Sequence, residues 1–219
     1  TYIAQLTDAN DCVVNASITL TRPAAITANN TLVDDVACFG GETGIAQVVA
    51  AGGTAPYTYQ WNTTPGQNTA NAVGLPVGTW TCTISDANGC SFDSAIDVTG
   101  PAAPLGVSIS NVTDVLCFGA PEGNATATAS GGTAPYDIVW DTAPSQTTAQ
   151  ASNLTAGEYE LTVTDARGCT ATNSAIIAQP AEGISAFFDQ VLHVSCFGAN
   201  NGEATIALTG GSGSYQITW

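Results

Sequence analysis

The tripeptide Cys38-Phe39-Gly40 returns as Cys117-Phe118-Gly119 and again as Cys196-Phe197-Gly198, with a step of 79 residues each time. Each copy precedes a tryptophan at a constant distance. A second anchor, Asp86-Ala87-Asn88-Gly89-Cys90, recurs as Asp165-Ala166-Arg167-Gly168-Cys169 and, in degenerate form, as Asp8-Ala9-Asn10-Asp11-Cys12. A constant period with constant internal spacing is the signature of a tandem array. We therefore expect one small structural unit repeated along the chain.

The repeat divides the chain into two complete units, residues 24–101 and 102–180, flanked by two partial units. Residues 1–23 correspond to the C-terminal part of a preceding repeat, and residues 181–219 to the N-terminal half of a following repeat. We therefore expect the parent molecule to be much longer. No stretch of the sequence is long and apolar enough to cross a membrane as a helix.

Alternation of apolar and polar residues predicts short strands and gives no helical period. In the first complete unit we expect strands near 26–36, 45–50, 57–61, 79–85 and 91–99, whereas 63–72 has a low structural signal. Six or seven short strands in about 79 residues indicate an all-β, immunoglobulin-like sandwich. The linkers, 99–104 and 178–183, are short, so we expect a tandem array of these domains to form an elongated rod.

The charge balance is strongly acidic, with 2 Lys plus Arg residues against 18 Asp plus Glu residues. Such a surface repels nucleic acid and anionic membranes, because binding phosphate requires cations. The 44% hydrophobic content argues against a disordered acidic chain. Seven cysteines at recurring positions indicate disulfides and therefore an extracellular or secreted protein.

Catalytic and metal-binding residues are scarce. The only histidine, His193, has no candidate nucleophile beside it, so we expect no enzyme and no cofactor. Calcium is the one metal with candidate ligands in this sequence. They are the turn residues Asp86 and Asp165 and the adjacent pair Asp34 and Asp35. Turn formation explains the first two better, because Asp favours turns and no loop is as dense in acidic residues as an EF-hand.

Two further surface functions can be weighed against structural roles. The alternating aromatic residues are compatible with a sugar-stacking platform, but they all fall on the inward-facing side of their strands, which favours a place in the core. These aromatic residues are Tyr57, Trp61, Trp80, Tyr136, Trp140 and Tyr159. Ser94 in Asp93-Ser94-Ala95 and Thr142 in Asp141-Thr142-Ala143 resemble a bacterial O-glycosylation signal, a pattern short enough to recur by chance.

The ordered set of motifs resembles the SprB repeat and, more distantly, the PKD and hyalin-repeat sandwiches. Its carriers are Cys-Phe-Gly, the segment Gly131 to Tyr136 with its counterpart Gly52 to Tyr57, the tryptophan, the segment Gly157 to Asp165 and the Gly-Cys pair. The resemblance spans essentially the whole chain. It implies a very large cell-surface protein of Bacteroidota, a group that includes the mobile adhesin of gliding motility exported by the type 9 secretion system. It also implies that secretion or motility machinery of the outer membrane contacts other regions of the protein.

The cysteines allow two pairings. One is a bridge within each unit, Cys38 with Cys90 and Cys117 with Cys169. In an immunoglobulin-like sandwich these two positions lie at opposite ends, a strand length of ~17–20 Å apart, whereas a disulfide needs Cα atoms within ~7 Å. The other is a bridge between units, Cys38 with Cys169. In this pairing four other cysteines bond to adjacent repeats or to repeats outside this sequence, namely Cys12, Cys90, Cys117 and Cys196. Cys82 aligns with Leu161 and is expected to be a buried free thiol.

Three functions follow from these patterns. The first is the structural shaft of an extracellular surface filament or adhesin, used in gliding motility or surface attachment. The second is an adhesive role in which the repeats themselves bind polysaccharide or solid surfaces. The third is a spacer role in a secreted enzyme. Near-constant spacing without loop insertions favours the shaft, because binding modules usually vary their loops.

Overall fold

The computed structural model describes all residues from Thr1 to Trp219 and contains sixteen β-strands and no α-helix. The chain divides into two compact units. The first comprises Thr1–Val36 and Gly40–Gly100, and the second comprises Ala37–Phe39 and Pro101–Trp219. The three-residue segment Ala37–Phe39 therefore belongs by its contacts to the second unit, although the flanking chain belongs to the first.

Each unit contains one complete sandwich and one additional hairpin. The strands of the first unit are β1 (Tyr2–Thr7), β2 (Val13–Ile18), β3 (Thr27–Asp34), β4 (Gly44–Ala51), β5 (Thr58–Trp61), β6 (Asn71–Leu75), β7 (Gly78–Ser85) and β8 (Ser91–Val98). The strands of the second unit are β9 (Gly106–Thr113), β10 (Gly123–Ser130), β11 (Tyr136–Trp140), β12 (Gln150–Leu154), β13 (Gly157–Asp165), β14 (Thr170–Ile177), β15 (Ser185–Leu192) and β16 (Glu203–Thr209).

The sandwich of the first unit consists of two three-stranded sheets, in the order β3-β4-β6 and β5-β7-β8. All ladders are antiparallel. Trp61 on β5 is 1% exposed and lies in a core that receives side chains from both sheets. Its indole Nε1–H donates to the Thr69 carbonyl at 2.9 Å, so the buried polar atom of this side chain has a partner.

The sandwich of the second unit repeats this plan, with sheets in the order β12-β10-β9 and β11-β13-β14. The register repeats as well, because Trp140 lies opposite Leu161 where Trp61 lies opposite Cys82. Trp140 is fully buried, and its indole donates to the Thr148 carbonyl at 3.2 Å. The expected class, a tandem array of immunoglobulin-like β-sandwiches, is confirmed.

The strand parity expected from the sequence holds on the inner faces. On β4, Ala46 and Val48 are buried and Ala50 is half-buried against the same core. On β7, Cys82 and Ile84 are buried and Trp80 is half-buried. Side chains on a strand point alternately to opposite faces, so one buried position determines its neighbours two residues away.

The low-signal segment 63–72 and the residues after it contain a strand that the sequence did not predict. Strand β6 pairs with β4, and β12 pairs with β10, both with a register shift. Because of this irregularity the buried residues of β6, Ala72 and Leu75, are three apart rather than two. The shift is accompanied by a left-handed backbone at Gly74 (φ 68°) and at Asn153 (φ 55°), so the period-two pattern is lost.

The two additional hairpins carry exposed apolar faces. Strands β1 and β2 form a two-stranded sheet in the first unit, and β15 and β16 form one in the second. Every residue of β1, β2 and β15 is exposed. An isolated hairpin is marginally stable in water, because it has nothing against which to bury its apolar face.

Candidate functional site

The feature that stands out in the second unit is a disulfide between Cys38 and Cys169. Their Cα atoms are 5.8 Å apart and their sequence separation is 131 residues. Cys38 lies in the short segment Ala37–Phe39 that groups with this unit. Cys169 ends the hairpin turn between β13 and β14. The bridge thus links the sequence of one complete repeat to the sequence of the next.

The bridges within a repeat, Cys38 with Cys90 and Cys117 with Cys169, are not formed. In the second unit, β9 runs alongside β14 in the same direction, since Asn173 Nδ2 donates to the Val107 carbonyl at 3.2 Å and Val115 N–H donates to the Ala178 carbonyl at 2.9 Å. Cys117 follows the end of β9 that lies near Ala178. Cys169 precedes the other end of β14.

The same geometry separates Cys38 from Cys90 in the first repeat. Asn30 Nδ2 donates to the Ala95 carbonyl at 2.8 Å, and Val36 N–H donates to the Thr99 carbonyl at 2.9 Å. Cys38 therefore follows the end of β8, whereas Cys90 precedes its beginning. A strand of eight residues spans roughly 25 Å, which is too far for a disulfide.

A small pocket surrounds the disulfide within the second unit. Phe39, Leu105 and Gly132 line it together with both cysteines and the hairpin residues Gly168 and Thr170. An equivalent pocket occurs 79 residues later in the same unit, lined by Cys117, Phe118, Ile184 and Gly211. This second pocket has no hairpin cysteine in it, and Cys117 is a free, exposed thiol.

The remaining free cysteines differ in exposure. Cys82 is fully buried, and Leu161 occupies the equivalent position in the second sandwich. Burial raises the pKa of the Cys82 thiol, so this residue behaves as a small apolar side chain in the core. Cys12, Cys90 and Cys196 are exposed.

The hairpin aspartates serve as acceptors for backbone N–H groups. Asp165 Oδ1 accepts from Arg167 N and Cys169 N, both at 2.9 Å, and Oδ2 accepts from Thr133 N at 2.9 Å. Asp86 has the same three contacts, with Asn88, Cys90 and Thr54. Burial raises the pKa of each carboxyl, but the backbone donors lower it by more, so both pKa values lie below the ordinary range.

These contacts bear on the calcium candidates. Both oxygens of Asp86 and of Asp165 face amide hydrogens, whereas calcium requires six to eight oxygen ligands. Asp35 accepts the hydroxyl of Thr99. No group of three or more His, Cys, Asp or Glu side chains is placed to hold a metal ion. The hydrogen bonds of Asp86 and Asp165 therefore serve the geometry of their hairpin turns.

A groove recurs at the same place in the two sandwiches. In the second sandwich it measures about 630 Å³ and is lined by residues that include Asp141, Thr142, Pro144, Asn153 and Tyr159. In the first it measures about 450 Å³ and is lined by the equivalent positions Asn62, Thr63, Pro65, Gly74 and Trp80. Of the aromatic residues named as a possible sugar platform, only Trp80 and Tyr159 line these grooves, whereas Trp61 and Trp140 are core residues.

The two O-glycosylation candidates differ in accessibility. Ser94 is 5% exposed, and its hydroxyl bonds to Asn30 Oδ1, so the folded domain does not offer it to an enzyme. Its position on β8 with inward parity explains the burial. Thr142 is half-buried on the groove and donates to the Pro144 carbonyl at 2.7 Å. His193 is exposed and lies between strands β15 and β16.

A family model described as SprB repeat matches residues 30–66, 109–145 and 193–219. Each match contains one Cys-Phe-Gly segment. The chain belongs to the SprB-repeat family. Membership in this family supports an extracellular, adhesin-like role for the repeats. The structure contains no helix with the length and apolarity needed to span a membrane.

Solved structures with similar architecture have low sequence identity. The three N-terminal domains of the bacteriophage RB49 highly immunogenic outer capsid protein match with a TM-score of 0.41 and 14% identity, covering 85% of this chain and 69% of that chain. A C-terminal fragment of intimin, in complex with a domain of the translocated intimin receptor, gives 0.37 and 11%, covering 77% and 67%. A tetra-tandem repeat from the extending region of a large adhesion protein gives 0.29 and 14%, covering 95% and 69%. No curated protein sequence matches the chain.

Proposed function

We propose that these SprB repeats form the load-bearing shaft of an extracellular surface filament or adhesin that serves gliding motility or surface attachment and has no catalytic role. The observation that carries the proposal is the Cys38–Cys169 disulfide. Tension applied to the chain ends passes from Cys38 through the bridge to Cys169 and bypasses the residues between them. Strands β4 to β13 then lie outside the direct load path, whereas β3 and β14 remain in it.

The division of the chain into the units 1–23, 24–101, 102–180 and 181–219 is part of the same proposal. Disulfides from the remaining exposed cysteines to neighbouring repeats are also part of it. A series of staples of the Cys38–Cys169 type makes each junction covalent. The net charge of −16 supports solubility of a long extracellular polymer through self-repulsion. Partners of such a shaft are the other repeats of the chain, with the secretion or motility machinery contacting other regions.

Single-molecule pulling tests the load path. The oxidised chain and a Cys38→Ser/Cys169→Ser variant are stretched from their termini to full extension. Because 131 residues are bypassed, we expect the variant to release roughly 450 Å more contour length than the oxidised chain. Reduction of the unsubstituted chain provides the matched control and has the same expected result. Equal contour lengths in the oxidised and substituted chains would show that the bridge does not carry the load.

Labelling of intact cells tests the location. Antibody raised against this chain is expected to stain unpermeabilised cells and to lose its target after brief external protease treatment. Staining that requires permeabilisation would contradict an extracellular filament.

The recurring groove favours a second candidate function, binding of polysaccharide by the repeats themselves. Trp80 or Tyr159 places an aromatic ring beside hydroxyl, amide or carboxylate groups, a combination that suits small-molecule recognition in concave sites. The full chain is applied to glass and to a polysaccharide panel. Saturable binding that falls at least tenfold in Trp80→Leu/Tyr159→Leu, but not in the control Ile176→Thr, supports an adhesive repeat. If no saturable binding is found, the structural shaft remains as the proposed function and the adhesive role is rejected.

A further inference from the structure

The recurring groove of each complete sandwich contains one aromatic ring whose polar end already has a partner. In the first sandwich the indole Nε1–H of Trp80 donates to the Pro76 carbonyl at 3.0 Å. In the second, the hydroxyl of Tyr159 donates to the Thr155 carbonyl at 3.1 Å. Both aromatic side chains are half-buried. The part of each ring that is left for a bound molecule is therefore its carbon surface.

Each groove also contains one carboxylate, although the two sandwiches supply it from different positions. Glu42, in the loop before β4, lines the first groove, and Asp141, directly after β11, lines the second. The equivalent positions 79 residues away are neutral, because Pro121 corresponds to Glu42 and Asn62 corresponds to Asp141. Each groove thus has a single acidic side chain in spite of the substitutions between the repeats.

Both carboxylates have oxygen atoms available to a bound molecule. Asp141 Oδ1 accepts the N–H of Glu160 at 2.9 Å, whereas no protein group donates to its Oδ2. No protein group donates to the carboxylate of Glu42, and both acidic side chains are exposed. An ionised carboxylate is only an acceptor, so a molecule that binds beside it has to bring the donor.

No cationic side chain neutralises these carboxylates within the grooves. The two basic residues of the chain, Arg22 and Arg167, line neither groove. A cation is attracted both to a carboxylate and to the face of a Trp or Tyr ring. A groove that combines one aromatic ring with one carboxylate therefore suits an ammonium group and disfavours an anion.

One wall of each groove is fixed by side-chain hydrogen bonds before any molecule binds. Gln67 makes two bonds to the backbone of Val73, at 2.8 and 2.9 Å, and Gln146 makes the equivalent two bonds to Ser152. These residues line the grooves together with the aromatic rings, which come from the other sheet of each sandwich. A site that is already formed avoids the entropic cost of ordering its residues on binding.

We propose that each groove binds a polysaccharide built from amino sugars whose amines are not acetylated. The ammonium group pairs with the carboxylate, which is Glu42 in the first groove and Asp141 in the second. The C–H face of the sugar ring stacks on Trp80 or Tyr159. The inference rests on polysaccharide binding by the repeats as a candidate function, and it adds which class of sugar the grooves select.

The combination of ring and carboxylate favours an amino sugar over other ligands. A stiff sugar ring carries its ammonium group directly beside an apolar face, whereas a lysine side chain has its ammonium group on a flexible stem and no ring to stack. Acidic polysaccharides are repelled by the formal net charge of −16. A neutral sugar donates only ordinary hydrogen bonds to the carboxylate, and bonds between charged groups are about twice as strong.

Isothermal titration of the oxidised full chain with two matched oligosaccharides tests the proposal. One is a hexasaccharide of glucosamine, and the other is the same hexasaccharide with every amine acetylated. The titration is made at about pH 5.5, where the carboxylates are ionised and the amines protonated, and at about 0.15 M salt, which screens general attraction to the acidic surface. We expect saturable binding of one glucosamine hexasaccharide in each groove and at least tenfold weaker binding of the acetylated form.

The variant Glu42→Gln/Asp141→Asn removes both groove charges and is expected to weaken binding of the glucosamine hexasaccharide at least tenfold. The fold tolerates an amide at the second position, because Asn62 Oδ1 accepts the N–H of Thr81 at 2.9 Å just as Asp141 accepts that of Glu160. Adding Asn62→Asp to this variant moves the carboxylate of the first groove to the place it has in the second. We expect this addition to restore binding in the first groove.

The matched control is Asp137→Asn/Glu158→Gln. It removes the same number of charges from exposed residues that line neither groove. We expect it to leave the affinity for the glucosamine hexasaccharide unchanged. Equal losses in the control and in the groove variant would overturn the proposal, because attraction to the overall charge would then explain the binding.

Two further results would overturn the proposal. One is equal affinity for the two oligosaccharides. The other is binding of a lysine hexapeptide as tight as that of the glucosamine hexasaccharide and equally sensitive to the groove variant, which would identify any flexible cation as a ligand.

The outcomes separate this inference from the candidate functions. If the acetylated form binds, loses affinity in Trp80→Leu/Tyr159→Leu and keeps it in Glu42→Gln/Asp141→Asn, the choice of amino sugars is wrong while polysaccharide binding stands. If the chain binds neither oligosaccharide nor any polysaccharide, both fail. The proposed shaft is unaffected in each case, because it rests on the Cys38–Cys169 bridge.

Discussion

At the scale of single residues, Asp165 connects two parts of its domain through three backbone N–H groups. Its carboxylate accepts N–H groups from the β13–β14 turn, and it also accepts the N–H of Thr133 in the Gly-Gly loop. The residue is 4% exposed. Addition of a Cβ at Gly132, which has φ of 56°, would bring it within 2.6 Å of Asp165 Oδ2, so only glycine fits beside the carboxylate. The aspartate and the glycine of the repeat motifs thus form one contact.

Acid is expected to destabilise the domains through Asp86 and Asp165. The folded pKa of each carboxyl lies below the unfolded value of about 3.9. The unfolded state therefore binds a proton first as the pH falls, and the stabilisation is complete above that value and is lost as pH falls through the folded pKa. Unfolding by denaturant between pH 2 and pH 6 measures this dependence.

The matched variants are Asp165→Asn and Asp137→Asn. Asp165→Asn is expected to lower the unfolding midpoint of the second sandwich at neutral pH and to flatten its dependence on acid. Asp137 is exposed on the neighbouring strand β11 and loses no such contacts. Identical acid profiles for the Asp165→Asn variant and the unsubstituted chain would refute the assignment.

At the scale of secondary structure elements, a glutamine side chain holds an irregular strand. Gln146 Nε2 donates to the Ser152 carbonyl and its Oε1 accepts from Ser152 N, both at 2.9 Å. Gln67 makes the same pair of bonds to Val73 in the first sandwich. Each side chain substitutes for a neighbouring strand at the edge of the sheet, where β12 and β6 would otherwise expose unpaired backbone groups.

Gln146→Glu is expected to loosen β12. The substitution preserves size and one acceptor but replaces the amide donor by an oxygen that faces the Ser152 carbonyl. We expect a loss of about 1–3 kcal/mol in the free energy of unfolding and faster amide exchange along β12. The control is Gln150→Glu, because Gln150 is an exposed residue of β12 and the substitution adds the same charge. We expect this control to change the free energy of unfolding by less than about 0.5 kcal/mol. Equal effects of the two variants would show that charge, rather than the lost donor, matters.

At the scale of the whole molecule, the covalent link between distant segments is the main constraint on the chain. The Cys38–Cys169 bridge closes a loop of 131 residues. Restricting so long a loop reduces the entropy of the unfolded state more than a short bridge would. The chain also has a formal net charge of −16, which opposes compaction through self-repulsion.

Removal of the bridge is expected to lower stability by about 2–4 kcal/mol. The comparison uses a parent in which the four exposed cysteines are serine, with and without Cys38→Ser/Cys169→Ser. Urea unfolding measures the difference. A reducing agent is expected to abolish the difference in stability between the two proteins, because the reduced parent also lacks the bridge. A difference that persists under reduction would show that serine itself, and not the lost bridge, causes the change.

The sequence by itself determined the repeat, the strand class and the parity of the inner faces. Trp61 and Trp140 were predicted as core residues because side-chain direction on a strand follows from local alternation. The turn at Asp86 was predicted for the same local reason. These features depend on residues within a few positions of one another.

Only the tertiary structure decided how distant residues meet. The choice between Cys90 and Cys169 as the partner of Cys38 depends on which ends of which strands lie together, and the sequence left both pairings open. Strand β12 was missed because its backbone turns left-handed at Asn153, and the contact that holds it comes from the side chain of Gln146 outside the strand. Ser94 matched a modification signal in sequence, but the packing of β8 against β3 buries its hydroxyl. Contacts between segments far apart in the chain carry no local period, so no pattern of neighbouring residues encodes them.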